Sequence, residues 1–284
     1  MLYTFRKKLR QNFKKRTRAY FRNNLALKTN LAYTSHRLYS SLMSKISPGA
    51  EDRRLAKNIH EKGVGIIGVS EITELEKIIT EIFSTIEAKN GYAEIPLSKK
   101  PLLAPHVYRV LMENKGPIEA FFGSHFQLNW FHCQKIVPGY LPPTTSFGYH
   151  TDDTPPTVMK IFIYITDTYK NNGAFRAFDY QITDDLIEKG MLSSSSLTER
   201  EQAQSLITPE LEEKLTIIEG KKGTVFLFDN NLIHKGTLPK EGMRIHIPVE
   251  IFPSSKPLTL EDVQNGCEQQ PTEYYPKNPF KPVK

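Results

Sequence analysis

The chain has 284 residues, 39% of them hydrophobic and 24% charged, enough for one large β-rich domain with extensions or for two small domains. Mean hydropathy is −0.43, and no apolar run approaches the roughly 18–20 residues needed to cross a bilayer, so the chain is expected to be soluble or membrane-peripheral. Two cysteines, Cys133 and Cys267, exclude a disulfide framework and make no metal motif. They fit a reducing compartment, with one bridge left open.

The net charge of +7 is unevenly spread. Twelve of the 38 Lys/Arg and none of the 31 Asp/Glu lie in residues 1–50, so the remainder carries 26 basic against 31 acidic residues, a net of −5. A basic arm on a mildly acidic body argues against a nucleic-acid-binding core.

Residues 1–46 form that arm. "MLYTFRKKLRQNFKKRTRAYFRNN" places Leu2, Phe5, Leu9 and Phe13 at helical spacing among Arg and Lys. The pattern predicts a basic amphipathic helix suited to an anionic membrane surface through residues 1–30. An organelle-targeting segment fits the same composition, as does a solvated tail or a helix packed on the body. The expected location is cytoplasmic or membrane-peripheral, with organelle targeting open.

"SPGAEDRR" (47–54) reads as a linker into a body spanning 47–253. Next comes a helix, the short strand "VGIIG", and a helix opened by Ser70 with Ile72, Leu75, Ile78, Ile79, Ile82 and Phe83 at helical spacing. A further helix is predicted over about 105–121. From 126 the pattern turns to period two. "FQLNWFHCQKIV", "TVMKIFIYITD", "AFRAFDYQI", "KLTIIEG", "TVFLFD" and "MRIHIPVEIF" are strand candidates separated by Pro, Gly and Asn. The fold class is therefore mainly β with flanking helices, as a sandwich or jelly roll. Residues 184–214 read as a helical or mobile insertion over one end of the barrel, and 254–284 as an irregular Pro-rich tail.

Three dispersed residues carry the chemistry. His150 and Asp152 in "GYHTDD" are two apart, so on extended backbone both side chains point the same way. His234 in "NNLIHKG" is borne by a hairpin that can face them. Two imidazoles and one carboxylate are the ligands of a facial Fe(II) site with open positions for an organic acid and O₂. Arg244 follows His234 by ten positions, and its planar fork suits the far carboxylate of a dicarboxylate. In the competing reading, His-x-Asp is a surface turn and Arg244 pairs with an acid such as Glu250. His36, His60, His106, His125 and His132 read as satisfied polar residues.

These motifs resemble the phytanoyl-CoA dioxygenase family of Fe(II)/2-oxoglutarate-dependent oxygenases. "HEKGVGIIGVSEITELEKI" looks like the family's opening, "IYITDTYKNNGAFRAF" like the strand and Asn-Gly turn after the metal motif, and "GTVFLFDNNLIHKG" like the strand bearing the second histidine. The resemblance spans roughly 55–253. It implies a double-stranded β-helix (jelly-roll, cupin-like) core, with Fe(II) on His150, Asp152 and His234. Arg244 would clamp 2-oxoglutarate, with Thr237 as a hydroxyl partner, and O₂ would be consumed to give succinate and CO₂.

The resemblance also implies hydroxylation rather than halogenation, because Asp152 is present. The substrate would be a small molecule, a carbohydrate or a lipid-linked compound entering past Phe147, Tyr149, Arg176, Phe178 and the 184–214 insertion. Two departures stand out. "FRAFDYQITDD" replaces the family's Pro-Gly-Ser-His stretch, and His246 stands where many members have Ser or Thr after the arginine. His246 is either a second co-substrate contact or a packed core histidine. Two other readings remain: a non-catalytic jelly-roll module using its arm on membrane or nucleic acid, and a metal-dependent isomerase on the same fold.

Overall fold

A computed structural model describes residues 35–139, 146–152, 154, 157–191 and 204–266; the arm up to residue 34 and the tail from 267 lie outside the described residues. The helices are α1 (35–43), α2 (Ala50–Lys62), α3 (Thr73–Ser84), α4 (Lys100–Glu113), α5 (Lys115–Phe122), α6 (Tyr180–Glu188), α7 (Pro209–Glu212) and α8 (Leu260–Asn265). The strands are β1 (Val64–Val69), β2 (Tyr92–Glu94), β3 (His125–Phe131), β4 (Gln134–Ile136), β5 (Met159–Tyr164), β6 (Phe175–Ala177), β7 (Thr216–Ile218), β8 (Thr224–Asp229), β9 (His234–Lys235) and β10 (Arg244–Ser254).

All strand pairs are antiparallel. A seven-stranded sheet runs β1-β8-β5-β10-β4-β2, with β3 also pairing β10. A three-stranded sheet runs β7-β6-β9, and the bridge between His150 and His234 adds the His150 segment to its edge. The period-two pattern shows how the large sheet is used. Ile161, Ile163, Val225, Leu227, Ile245, Ile247, Val249 and Ile251 belong to a core shared with Ile59, Leu75, Ile79, Leu103, Val107, Val110 and Ile118 of the helices. Alternate residues Tyr164, Phe226 and Phe228 face the small sheet, where they pack on Phe175, Ala177 and Ile218. Phe162 fills the same space, its ring 5.5 Å from Phe175 and 5.2 Å from Phe228. The Tyr164 hydroxyl ties the layers by donating to the Ile218 carbonyl (2.8 Å) and accepting from the Phe175 amide (3.1 Å).

Several boundaries differ from the sequence expectation, each for a local reason. The helix expected to open at Ser70 begins at Thr73, whose amide donates to the Glu71 carboxylate (2.7 Å); Ser70 instead accepts from Asn114 (2.9 Å). α2 starts inside the expected linker because the Gly49 amide donates to Asp52 (2.8 Å). The strand expected over "AFRAFDYQI" ends at Ala177, where Asp179 caps α6 by accepting from the Ile182 amide (2.8 Å). The helix expected over 105–121 is two, α4 and α5.

The packed body also reaches beyond 47–253. On its N-terminal side, His36 bonds the Pro253 carbonyl (2.8 Å) and Ser44 donates to Ser254 (3.1 Å). On its C-terminal side, Leu258 and Val263 are core residues.

Replacing Phe226 by Ala is expected to remove about 3–5 kcal/mol of stability, because it empties the space between the sheets. Exposed Val69→Ala should change it by less than about 0.5 kcal/mol. Urea unfolding of both variants checks the contrast, and equal effects would contradict the layered core.

Candidate metal centre

Two backbone hydrogen bonds bring the histidines together. The His150 amide donates to the His234 carbonyl (3.0 Å) and the His234 amide to the His150 carbonyl (2.9 Å). Their ring centroids lie 4.3 Å apart. Each Nδ1 lies 2.8 Å from a carbonyl two residues earlier, that of Gly148 for His150 and Leu232 for His234. A carbonyl only accepts, so both Nδ1 atoms carry a proton and Nε2 is the nitrogen each ring can offer to an ion.

Asp152 completes the group. Its amide donates to the Asn230 carbonyl (2.9 Å), and its carboxylate lies 3.4 Å from His150 Nε2 and 3.7 Å from His234 Nε2. One ligand atom from each of His150, Asp152 and His234 lies within 4.8 Å of the others, an arrangement able to hold a metal ion. Burial, with the neighbouring His150, pushes His234 down to about 3, so this ring is neutral at physiological pH. For Asp152 burial acts upward, but the Lys160 ammonium outweighs it and holds the carboxyl far below its usual range.

The remaining expected residues fall on both sides of the sheets. Arg244 lies on β10, and by register shares the inner face with His246, Tyr164, Lys160 and Glu250. It is 3% exposed and donates through Nη1 to the Gly173 carbonyl, while its Nε has no partner among the described residues. Burial lowers it to about 10, leaving it charged at neutral pH. It does not pair with Glu250, which accepts from Asn129 (2.7 Å) and Asn230 (3.4 Å).

Gly173, at φ 97°, presses its Cα against the Thr237 carbonyl, with no room there for a side chain. The turn thereby sets Thr237 next to the arginine's anchor. Thr237 Oγ1 and His246 Nδ1 are also buried without partners among the described residues. Burial, then Arg244, drives His246 well below its usual range, and its ring lies 4.9 Å from Phe162. A fixed cation with nearby unpaired donors fits the carboxylate of an organic acid.

Three of the expected rim residues, Arg176, Tyr149 and Phe178, do not line this space. Arg176 alternates with inward Phe175 and Ala177, so it lies on the outer face of the small sheet, beside Lys235. Tyr149 and Phe178 stack at 5.6 Å in a third core with Leu186, Met191, Leu215 and Ile233. There Glu212 accepts from the Tyr149 hydroxyl (2.9 Å) and from Lys235 (3.2 Å). Four of the five histidines read as structural have carbonyl or carboxylate partners: His36, His60, His125 and His132.

The sequence reading missed Lys160, Asn230 and Asn129, and weighed Glu250 only as a partner for Arg244. For Lys160 the signal was a charged residue at an inward position of the otherwise apolar strand "MKIFIY".

No known protein family and no curated protein matches the chain. Similar solved structures exist. The non-heme α-ketoglutarate-dependent carbocyclase SnoK from nogalamycin biosynthesis aligns at TM-score 0.50 and 14% identity, covering 73% of this chain and 87% of that one. HygX from Streptomyces hygroscopicus with nickel and 2-oxoglutarate bound aligns at 0.48 and 15%, covering 71% and 87%. The epimerase SnoN aligns at 0.45 and 12%, covering 72% and 83%. At such identity the likeness to SnoK is one of fold.

A histidine held near pKa 3 when folded and near 6.5 when unfolded makes the unfolded chain bind the extra proton between those values. Its contribution to stability is complete above about pH 6.5 and is lost as pH falls toward about 3. Buried His246 has the same sign. Chelator-treated protein should therefore melt at progressively lower temperature across that window, and His234→Gln should flatten the slope. An unchanged slope would show that His234 is not buried neutral.

Proposed function

We propose that the chain is an Fe(II)- and 2-oxoglutarate-dependent dioxygenase of the phytanoyl-CoA dioxygenase type. Its substrate would be a small molecule, a carbohydrate or a lipid-linked compound that it hydroxylates. One observation carries the reading. His150, Asp152 and His234 converge within 4.8 Å, and the buried Arg244 lies on the adjoining inner face with no acid paired to it among the described residues. Support also comes from strand order. β4/β3-β10-β5-β8 faces the His150 segment-β9-β6-β7, which is the order of a double-stranded β-helix. SnoK, with the similar fold, is α-ketoglutarate-dependent.

Bound Fe(II), with 2-oxoglutarate and O₂, supplies the power to oxidise a C–H bond while the keto acid leaves as succinate and CO₂. The chain supplies position and charge. His150 and His234 present Nε2 because their Nδ1 protons are committed to the backbone. Asp152 would add one negative charge to an ion held there. Arg244, oriented by Gly173, offers a fork to the distal carboxylate, with Thr237 Oγ1 and His246 Nδ1 as further polar contacts. Phe162, Phe175 and Phe228 form an apolar wall beside His246 and His234, which keeps water from that side.

Anaerobic addition of Fe(II) and 2-oxoglutarate should produce a visible metal-to-ligand charge-transfer band. Asp152→Ala should abolish the band and succinate release. Arg244→Ala should raise the 2-oxoglutarate requirement at least tenfold while changing the Fe(II) requirement little, as expected for loss of a buried charge-assisted pair worth about 1.5–3 kcal/mol. Unaltered behaviour of both variants would remove the proposed site.

The reading extends to location. α1 docks through His36, Arg37 and Ser44, and leaves Leu38, Leu42 and Met43 exposed, immediately after the acid-free basic segment. This supports contact with an anionic membrane surface. The full chain should sediment with phosphatidylserine-containing vesicles and be released by salt. Equal sedimentation with neutral vesicles, or none at all, would rule that contact out.

A further inference from the structure

Lys160 and Glu250 are directly opposite on β5 and β10, on the inner face, and level with the metal-ligating group. Lys160 Nζ lies 2.5 Å from Asp152 Oδ2, the oxygen 3.7 Å from His234 Nε2. We infer that Lys160 is a two-position residue that steadies Asp152 and passes to Glu250 when Asp152 accepts a divalent cation. The inference rests on the proposed metal centre but not on 2-oxoglutarate.

An ammonium and a divalent cation on one partly buried carboxylate repel strongly. Metal entry therefore requires a second anion within reach of Lys160. Cross-strand partners stand about 4.5–5.5 Å apart at Cβ, well within a lysine's span. Glu250 is 1% exposed and held by two amides, Asn129 at 2.7 Å and Asn230 at 3.4 Å, with no ion pair to a cation among the described residues. A buried carboxylate without a cation is costly and adds nothing to packing. Its position is explained by a cation that arrives.

Asn230 links the two acids, because its carbonyl accepts the Asp152 amide (2.9 Å) while its side chain donates to Glu250. Trp130 stands on β3 opposite Glu250, and Lys160 Nζ already lies 5.4 Å from its ring. The aromatic face supports the ammonium along the path.

The test is Co(II) titration of the full chain, followed by calorimetry and by the cobalt visible spectrum, through a double-mutant cycle. Glu250→Gln should weaken Co(II) binding about tenfold or more, in the range of outer-shell losses, because Lys160 then has nowhere to go. Lys160→Met should bind at least as tightly as wild type, and adding Glu250→Gln to it should cost nothing further. Lys160→Arg, which keeps the charge, should restore the sensitivity to Glu250→Gln. If Glu250→Gln fails to fold by circular dichroism, Glu250→Asp takes its place and should give a smaller loss in the same direction. The inference is overturned if Lys160→Met weakens binding as Glu250→Gln does, or if Glu250→Gln costs the same in both backgrounds. Wild-type cobalt binding without a 2-oxoglutarate band would sink the oxygenase reading and leave this one standing; no cobalt binding would end both.

Discussion

The reciprocal pair of backbone hydrogen bonds between His150 and His234 is the constraint on which the rest depends. It joins segments 84 positions apart into one edge of the small sheet, and sets two imidazoles side by side on the face turned toward the large sheet. Once that edge is fixed, Asp152 follows two residues on, held to Asn230. The hairpin leaving His234 then delivers Arg244 to the opposite wall. These side chains are thus placed by main-chain geometry, and the carbonyls of Gly148 and Leu232 fix which nitrogen of each ring faces the backbone.

The large sheet divides the molecule by polarity. Its outer face is covered by helices around Ile161, Leu227 and Ile247. Its inner face carries Phe162, Phe226 and Phe228 toward β8, but Lys160, Arg244, His246 and Glu250 around β10. Charges buried on one side of a close-packed sheet are expensive, and they gather where an ion and an anionic ligand would meet them. The asymmetry is already written in β10, where Arg244, His246 and Glu250 of "RIHIPVEIF" share one face with Pro248 and aliphatic residues take the other.

That alternation made much of the fold legible in advance. The period-two segments became strands, and His150, Asp152, His234 and Arg244 could be singled out because their spacing matches a chemical requirement. Element ends were less legible, since Glu71, Asp52 and Asp179 set them through single side-chain bonds to particular amides, and sequence periodicity does not record those bonds. Arg176 was placed on the wrong face because its distance from the metal motif says nothing about which neighbour points inward; Phe175 and Ala177 take that side. Lys160 escaped notice for the opposite reason. It is an isolated charge in an apolar run, and only register shows that it stands opposite Glu250.

The third core lies directly behind the edge that carries His150 and His234, and there Glu212 of α7 holds Tyr149 and Lys235 with one carboxylate. Those two residues immediately precede His150 and follow His234. The surface turn 209–212 therefore clamps, through one carboxylate, the two segments whose pairing brings the imidazoles together.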